Sequence, residues 1–256
     1  MEATEIRELT SENLSYVARC THEEEDEETA WAAQVRGVWL TSLMAKGLRG
    51  KVAYQDDNPV GFIQYLPLEH SPIDVVGQEL TVIPCLVSTI KGQGHGQALI
   101  QAAEEDARQT SRGLVIPAFD HDFWFMPASY FQRLGYQEAD RQNTYVVLWK
   151  AFAPANPPFI MRRNYQFVPE PGKVVVDLFW NRWCKTSIIE AQLVREVCAE
   201  YGDHILLKEY DASQRAMLER YGINRAIFFN GKSRFWGHEA PKEGIREEIE
   251  KALAIM

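Results

Sequence analysis

The sequence predicts an α/β protein in two parts: a mixed, splayed central sheet flanked by helices, then a smaller α/β domain. Three observations carry that expectation. The glycine-rich stretch Lys91-Gly92-Gln93-Gly94-His95-Gly96-Gln97-Ala98 stands between an apolar run ending Pro84-Cys85-Leu86-Val87 and a helix-patterned run, 98–108. Two apolar runs, 80–87 and 114–119, carry Pro84 and Pro117, although proline cannot donate to a ladder and rarely sits in a central strand. A proline-dense stretch between 152 and 172 separates two patterned halves.

Taken in order, 5–9 reads as a short first strand, and Thr10 or Ser11 caps a helix through about residue 18. A second helix spans 24–46, with Trp31, Val35, Val38, Trp39 and Leu43 recurring near helical spacing as its buried face. Gly47 and Gly50 end it. Strands 52–55 and 60–67 flank the turn Asp56-Asp57-Asn58-Pro59. After another turn come strand 80–87, the glycine loop and its helix. Strand 114–119, a short helix over 126–134, a strand opening at Gly135-Tyr136 and a last strand over 144–150 complete the first part. As parallel neighbours, 80–87 and 114–119 pair at their N-terminal ends and part towards Val87 and Phe119, because the prolines interrupt the ladder.

The second part opens with strand 174–179 and passes Trp180-Asn181-Arg182-Trp183-Cys184-Lys185-Thr186-Ser187 into a helix striped by Ile189, Leu193, Val194 and Val197. Strand 205–209, helix 213–220, a hairpin turning on Asn230-Gly231 and a closing helix over 243–255 follow. The expected division is 1–150, a linker over 151–171, and 172–256.

The glycine loop has a chemistry of its own. Glycines let the backbone approach a ligand, and a helix N-terminus adds unpaired N–H groups and the positive end of the macrodipole. Together they seat a phosphate. A Walker loop would end in Gly-Lys-Ser/Thr, whereas this stretch ends Gly-Gln-Ala; a dinucleotide fingerprint needs a third small residue, where Gln97 or Leu99 stands.

Composition narrows the classes further. A net charge of -9 argues against general nucleic-acid binding and weakly favours cationic substrates. The acidic run Glu23-Glu24-Glu25-Asp26-Glu27-Glu28 suits the first turn of the following helix. No apolar run is long enough to span a bilayer. The acidic N-terminus lacks a signal pattern, and Cys20, Cys85, Cys184 and Cys198 are scattered without a Cys-x-x-Cys pair; the expectation is a cytoplasmic protein without a disulfide framework or structural zinc. Cys85 reads as a small apolar strand residue.

Lys91-Gly92-Gln93-Gly94-His95-Gly96 resembles the pyrophosphate loop of the GNAT acetyltransferases, (Arg/Gln)-x-x-Gly-x-(Gly/Ala), with Lys91 in the first place. The predicted order β-α-α-β-β-β-α-β-α-β-β is similar to the GNAT fold over about residues 5–150. Tyr130-Phe131-Gln132-Arg133-Leu134-Gly135-Tyr136, preceded by Trp124-Phe125-Met126-Pro127, resembles the family's late segment. There Phe131 takes the place of a tyrosine thought to protonate the departing thiolate, and Tyr130 is its neighbour. The resemblance implies acetyl-CoA as cosubstrate, held by Leu86, Val87, Lys91, Gly92, Gln93, Gly94, His95, Gly96, Gln97 and Ala98. It implies direct transfer to the amine of a small molecule or peptide. Tyr130 is the candidate general acid. Asp120, His121, Asp122 and Glu79 are candidate bases, Asp120 first among them, while His95 packs or touches phosphate.

The second part, with its β-α-β-α-β-β-α order, resembles thioredoxin. Trp183-Cys184-x-x-Ser187 looks like a Trp-Cys-x-x-Cys site lacking its second cysteine, and Asn224-Arg225-Ala226 stands where the cis-proline belongs. The pairing of domains is similar to the YoaP-like acetyltransferases. Cys184 at a helix N-terminus is a third catalytic candidate. The expected roles of this domain are substrate binding or homodimer packing. The alternative to the transferase is an acyl-CoA-binding thiol sensor, or a monothiol redox or metal-binding module, acting through Cys184.

Overall fold

The structure is a computed structural model that describes residues 4–21, 26–121 and 125–255. Contacts divide the chain into two compact units, Met1–Glu23 with Gly37–Ile160, and Glu24–Arg36 with Met161–Met256.

The first unit is built on a seven-stranded sheet in the order β1-β2-β3-β5-β6-β8-β7. Its strands are β1 (Glu5–Glu8), β2 (Arg49–Gln55), β3 (Asn58–Pro67), β5 (Leu80–Ser88), β6 (Gly113–Phe119), β7 (Gln137–Gln142) and β8 (Tyr145–Ala151). All neighbours are antiparallel except β5 and β6. The β2–β3 hairpin turns on Asp56 and Asp57, both at positive φ (50° and 62°). Helix α3 (His95–Thr110) packs one face, where Leu99, Ile100, Ala103 and Ala107 meet Ile63, Ile83, Ile116 and Leu148. Helix α4 (Ala128–Arg133) buries Phe131 in the same core.

The splay takes the form the prolines predict. β5 and β6 pair only at Leu80–Gly113, Thr81–Leu114 and Val82–Val115. On the other edge of β5 the register with β3 slips between Gln64 and Leu66, which leaves Pro84 in the irregular stretch. On β6 the Phe119 N–H donates to the Met126 carbonyl at 2.9 Å, on the side away from β8. Strand groups alternate in direction, so Pro117 turns its nitrogen the same way. Having no N–H, it leaves no donor stranded in the gap.

Several local expectations are corrected. Helix α1 (Leu14–Arg19) is preceded by Asn13, not capped by Thr10 or Ser11; the Asn13 side chain accepts the Thr10 N–H at 2.9 Å instead. Helix α2 (Glu27–Met44) buries Ala32, Arg36, Leu40 and Leu43, while Trp31 is exposed and Val38 is 69% exposed. The buried stripe is displaced from the apolar one because Arg36, 1% exposed, is satisfied inside by the Trp183 carbonyl at 2.6 Å. Ala32 is small enough to pack on Ile188 and Ile189. The stretch after β8 is also more regular than its prolines suggest: β9 (Phe159–Ile160) pairs with β4 (Val75–Val76).

The second unit has a four-stranded sheet, β11-β10-β12-β13, formed by β10 (Val174–Trp180), β11 (Ile205–Asp211), β12 (Ala226–Phe229) and β13 (Lys232–Arg234). β10 and β11 are parallel and the other pairs antiparallel. Helices α5 (Lys185–Glu200), α6 (Arg215–Tyr221) and α7 (Lys242–Leu253) complete it in the expected order. Segment 162–168 is docked on this unit: the Asn164 N–H bonds the Tyr221 carbonyl at 2.9 Å, and Tyr165 stacks on Phe228 at 4.2 Å. A side chain at Gly222 would strike the Arg162 carbonyl oxygen at 2.3 Å. Among the described residues no helix is long and apolar enough to cross a membrane.

Candidate active site

The glycine loop leaves β5 at Ser88 and enters α3 at His95. Gly92 and Gly94 sit at φ 80° and 84°, a region that costs other residues about 1–2 kcal/mol. A Cβ at either position would meet no protein atom within 4 Å. Backbone conformation, not crowding by the protein, therefore requires glycine there, and the space beside the loop is open. The first bonded amide is that of Ala98, which donates to the Gly94 carbonyl at 3.0 Å. Among the described residues no backbone carbonyl outside the helix accepts from residues 91–97. Ala98 thus closes the loop, while the amides before it remain available at the positive end of a sixteen-residue helix. Lys91, Gly92, Gln93, Gly94 and Gln97 are exposed. His95 points inward: it is 3% exposed and its Nδ1 lies 2.8 Å from the Thr4 hydroxyl.

The strand beside the loop divides its amides between two sides. The Thr89 N–H bonds the Val60 carbonyl of β3 at 3.0 Å. By alternation the Val87 amide also faces β3 and is taken up by the ladder, whereas the Leu86 amide faces the gap. Leu86 and Phe119 each lie four residues beyond the last β5–β6 pair, so they stand across the gap at about the same height.

Tyr130 closes the other side. A Cβ on Gly96 would lie 3.0 Å from the Tyr130 hydroxyl and 4.0 Å from Leu86 Cδ2, which puts that hydroxyl over the first turn of α3. Burial raises its pKa above the ordinary phenol value, with Arg133 opposing, so it stays protonated at neutral pH. Phe131, the residue at the family's tyrosine position, faces the core and packs edge-on to Tyr136 at 6.3 Å.

The candidate bases fare differently. Asp120 is exposed and held by Arg141 at 2.8 Å, with Glu138 on the same guanidinium. Glu79 precedes the paired end of β5, remote from the gap, and bonds Arg112 at 2.8 Å. His121 is exposed and stacks on Phe119 at 5.4 Å. Asp122 and Trp124 lie outside the described residues, as do Glu23, Glu24 and Glu25.

Two residues that carry no sequence signal meet on the β8 side of Phe119. The Tyr145 hydroxyl, at the start of β8 beside Phe119, donates to Asp74 at 2.9 Å. Burial pushes the Tyr145 phenol well up, and the Asp74 charge adds to that. Asp74 sits in an irregular stretch between β3 and β4, where neither period nor motif marks it.

Cys184, in the second unit, precedes α5 with φ -96° and ψ 121°, and its carbonyl accepts from Ser187 and Ile188 at 3.0 and 3.1 Å. Ser187, where a second cysteine would stand, is buried and its hydroxyl accepts the Asn181 N–H at 3.0 Å. Nearby, Arg225 grips Glu190 through two nitrogens at 2.8 and 3.0 Å. Burial opposes the Arg225 charge, but Glu190 outweighs it, with Cys184 a further contributor, so its pKa is raised.

Residues 5–136 match the family described as Acetyltransferase (GNAT) family. No sequence among curated proteins matches the chain. Among solved structures, a putative GNAT acetyltransferase from Desulfovibrio desulfuricans is 18% identical, with 59% of this chain and 100% of that one covered and a TM-score of 0.45. A GNAT acetyltransferase from Brucella melitensis, in complex with acetyl-CoA, is 21% identical, covering 61% and 93% at 0.41. The PaiA N-acetyltransferase from Thermoplasma acidophilum, in complex with coenzyme A, is 14% identical, covering 58% and 99% at 0.43.

Proposed function

We propose, from the premise that this chain belongs to the acetyltransferase (GNAT) family, that its first unit transfers the acetyl group of acetyl-CoA directly to the amine of a small molecule or peptide. The observation that carries the reading is the row of amides before Ala98, freed by two left-handed glycines and set beside a gap in the sheet.

The chemistry divides among a few groups. The loop amides and the α3 dipole hold the pyrophosphate. The Leu86 N–H, facing the gap, donates to the oxygen that gains charge as the amine nitrogen adds to the thioester carbon; such a donor contributes about 3 kcal/mol. When the carbon–sulfur bond breaks, the Tyr130 hydroxyl gives its proton to the thiolate, and the proton shed by the amine leaves through water. Tyr130 would thus fill, from the adjacent position, the role lost with Phe131. The second unit, whose element order supports the thioredoxin-like reading, serves in substrate binding or in packing a homodimer. Structural use of the Ser187 hydroxyl fits a scaffold without disulfide exchange. Scattered cysteines without a Cys-x-x-Cys pair fit a cytoplasmic location.

Calorimetric titration with CoA, paired with thiol release from acetyl-CoA across an amine panel, tests the reading. One CoA per chain, thiol release that requires an amine, and about tenfold weaker CoA binding in Gly94→Ala are expected. Tight CoA binding without amine-dependent release would favour the thiol-sensor alternative, which mixed-disulfide formation at Cys184 would then support.

A further inference from the structure

The loop amides account for the diphosphate of coenzyme A, but the molecule carries a further phosphate on its ribose. A phosphomonoester of that kind holds about two negative charges at neutral pH. An arginine fork matches it best, through paired charge-assisted hydrogen bonds.

Helix α4 presents one such group. Arg133 is exposed, and among the described residues no carboxylate lies within ion-pair distance of it. Other cations on and around α3 are occupied: Arg49 and Lys51 by Asp106, Arg108 and Lys150 by Glu104. The group that Arg133 does act on is the Tyr130 phenol, which its charge favours in the ionised form against burial. Tyr130 stays neutral, so the guanidinium charge is unspent. Residues three apart share a helix face, so Arg133 lies on the face of α4 that carries Tyr130. The Tyr130 hydroxyl in turn lies 3.0 Å from where a Gly96 Cβ would stand, over the first turn of α3. That face of α4 is therefore turned towards the helix whose N-terminus seats the diphosphate. The diphosphate itself needs no guanidinium, because the amides and the dipole already serve it.

We propose that Arg133 binds the 3′-phosphate of the cosubstrate and makes the protein select coenzyme A over its dephosphorylated form. The inference rests on the cosubstrate reading given above. Arg133 touches no reacting atom; it determines specificity through binding alone.

The test is calorimetric titration of the full-length protein with CoA and with dephospho-CoA, which differ in that phosphate alone. Wild type is expected to bind CoA about tenfold or more tightly than dephospho-CoA. Arg133→Gln should weaken CoA until the two agree within about twofold, while its affinity for dephospho-CoA, which also reports the fold, stays within about twofold of wild type. Arg133→Lys keeps the charge and loses the fork, so a preference of about threefold should survive. Lys91→Gln removes a charge from the diphosphate loop and should weaken both nucleotides alike, leaving the ratio unchanged. Three results overturn the proposal: an unchanged ratio in Arg133→Gln, equal weakening of both nucleotides by that variant, or loss of the discrimination in Lys91→Gln instead. Equal binding of both nucleotides by wild type would remove the role of Arg133 and leave the cosubstrate reading standing. Binding of neither would remove that reading, and this one with it.

Discussion

At the scale of single residues, the exchange of Tyr and Phe at 130 and 131 makes the sharpest claim. The residue that fits the family pattern, Phe131, is packed in the core, and the hydroxyl sits on its neighbour over the start of α3. Tyr130→Phe should therefore lower kcat by about 10²-fold with little change in the KM for acetyl-CoA, because it removes a proton donor and no phosphate contact. Steady-state kinetics at saturating amine would show it, and an unchanged kcat would return Tyr130 to packing. The cysteines make a second residue-scale case. Cys85 and Cys198 are buried, and burial pushes the Cys198 thiol up to about 12, with the Glu209 charge adding to it. Cys20 and Cys184 are partly accessible. Since the thiolate is the reactive form, alkylation of the native protein should label Cys184 and Cys20 and spare the other two until denaturant is added. Peptide mapping by mass spectrometry reads the order directly, and rapid labelling of Cys198 would contradict the packing of α5.

At the scale of elements, α3 is held to the sheet by charge as well as by its apolar face. Asp106 accepts from the Tyr65 hydroxyl, pairs with buried Lys51 at 3.0 Å, and lies 3.4 Å from Arg49. Burial would raise the Asp106 carboxyl, but the Tyr65 hydroxyl and the Lys51 ammonium outweigh it and hold it below the usual range. A depressed carboxylate adds stability above its unfolded value of about 3.9 and loses it as pH falls through the folded value. Denaturant melts below about pH 4 should thus show a stability loss that Asp106→Asn reduces, while at pH 7 that variant costs about 2 kcal/mol, less than a wholly stranded cation because Glu8 still reaches Lys51. The same scale shows what could be read in advance. The splay was legible because Pro84 and Pro117 act through the backbone, where local chemistry decides the ladder. The glycine loop was legible for the same reason. The buried face of α2 was not, because spacing counts apolar residues and the element instead buries Arg36 against the Trp183 carbonyl, a partner 147 positions away. Asp74 was equally hidden: its meaning comes from Tyr145, which the topology alone brings to it.

For the whole molecule, the consequence of Arg36 and Ala32 is that the second unit is not a contiguous piece of chain. Its sheet and helices come from residues after 160, but part of its core is supplied by the first half of α2. Ala32 covers Ile188 and Ile189, and Arg36 satisfies the carbonyl just before Cys184. Cutting at the proline-dense stretch would therefore expose apolar surface on α5 and strand a backbone acceptor next to the cysteine. A fragment of residues 161–256 should keep helical circular dichroism yet bind a hydrophobic dye and melt with poor cooperativity. A synthetic peptide of residues 24–40 should raise its melting temperature in a concentration-dependent way, as mass action requires of anything that binds only the folded form. If the bare fragment melts sharply and the peptide changes nothing, the first half of α2 is a passenger and the second unit stands alone. If the peptide restores cooperativity, the two sequence halves share a structural element, and a single substitution at Arg36 will disturb the surroundings of Cys184 from more than a hundred residues away.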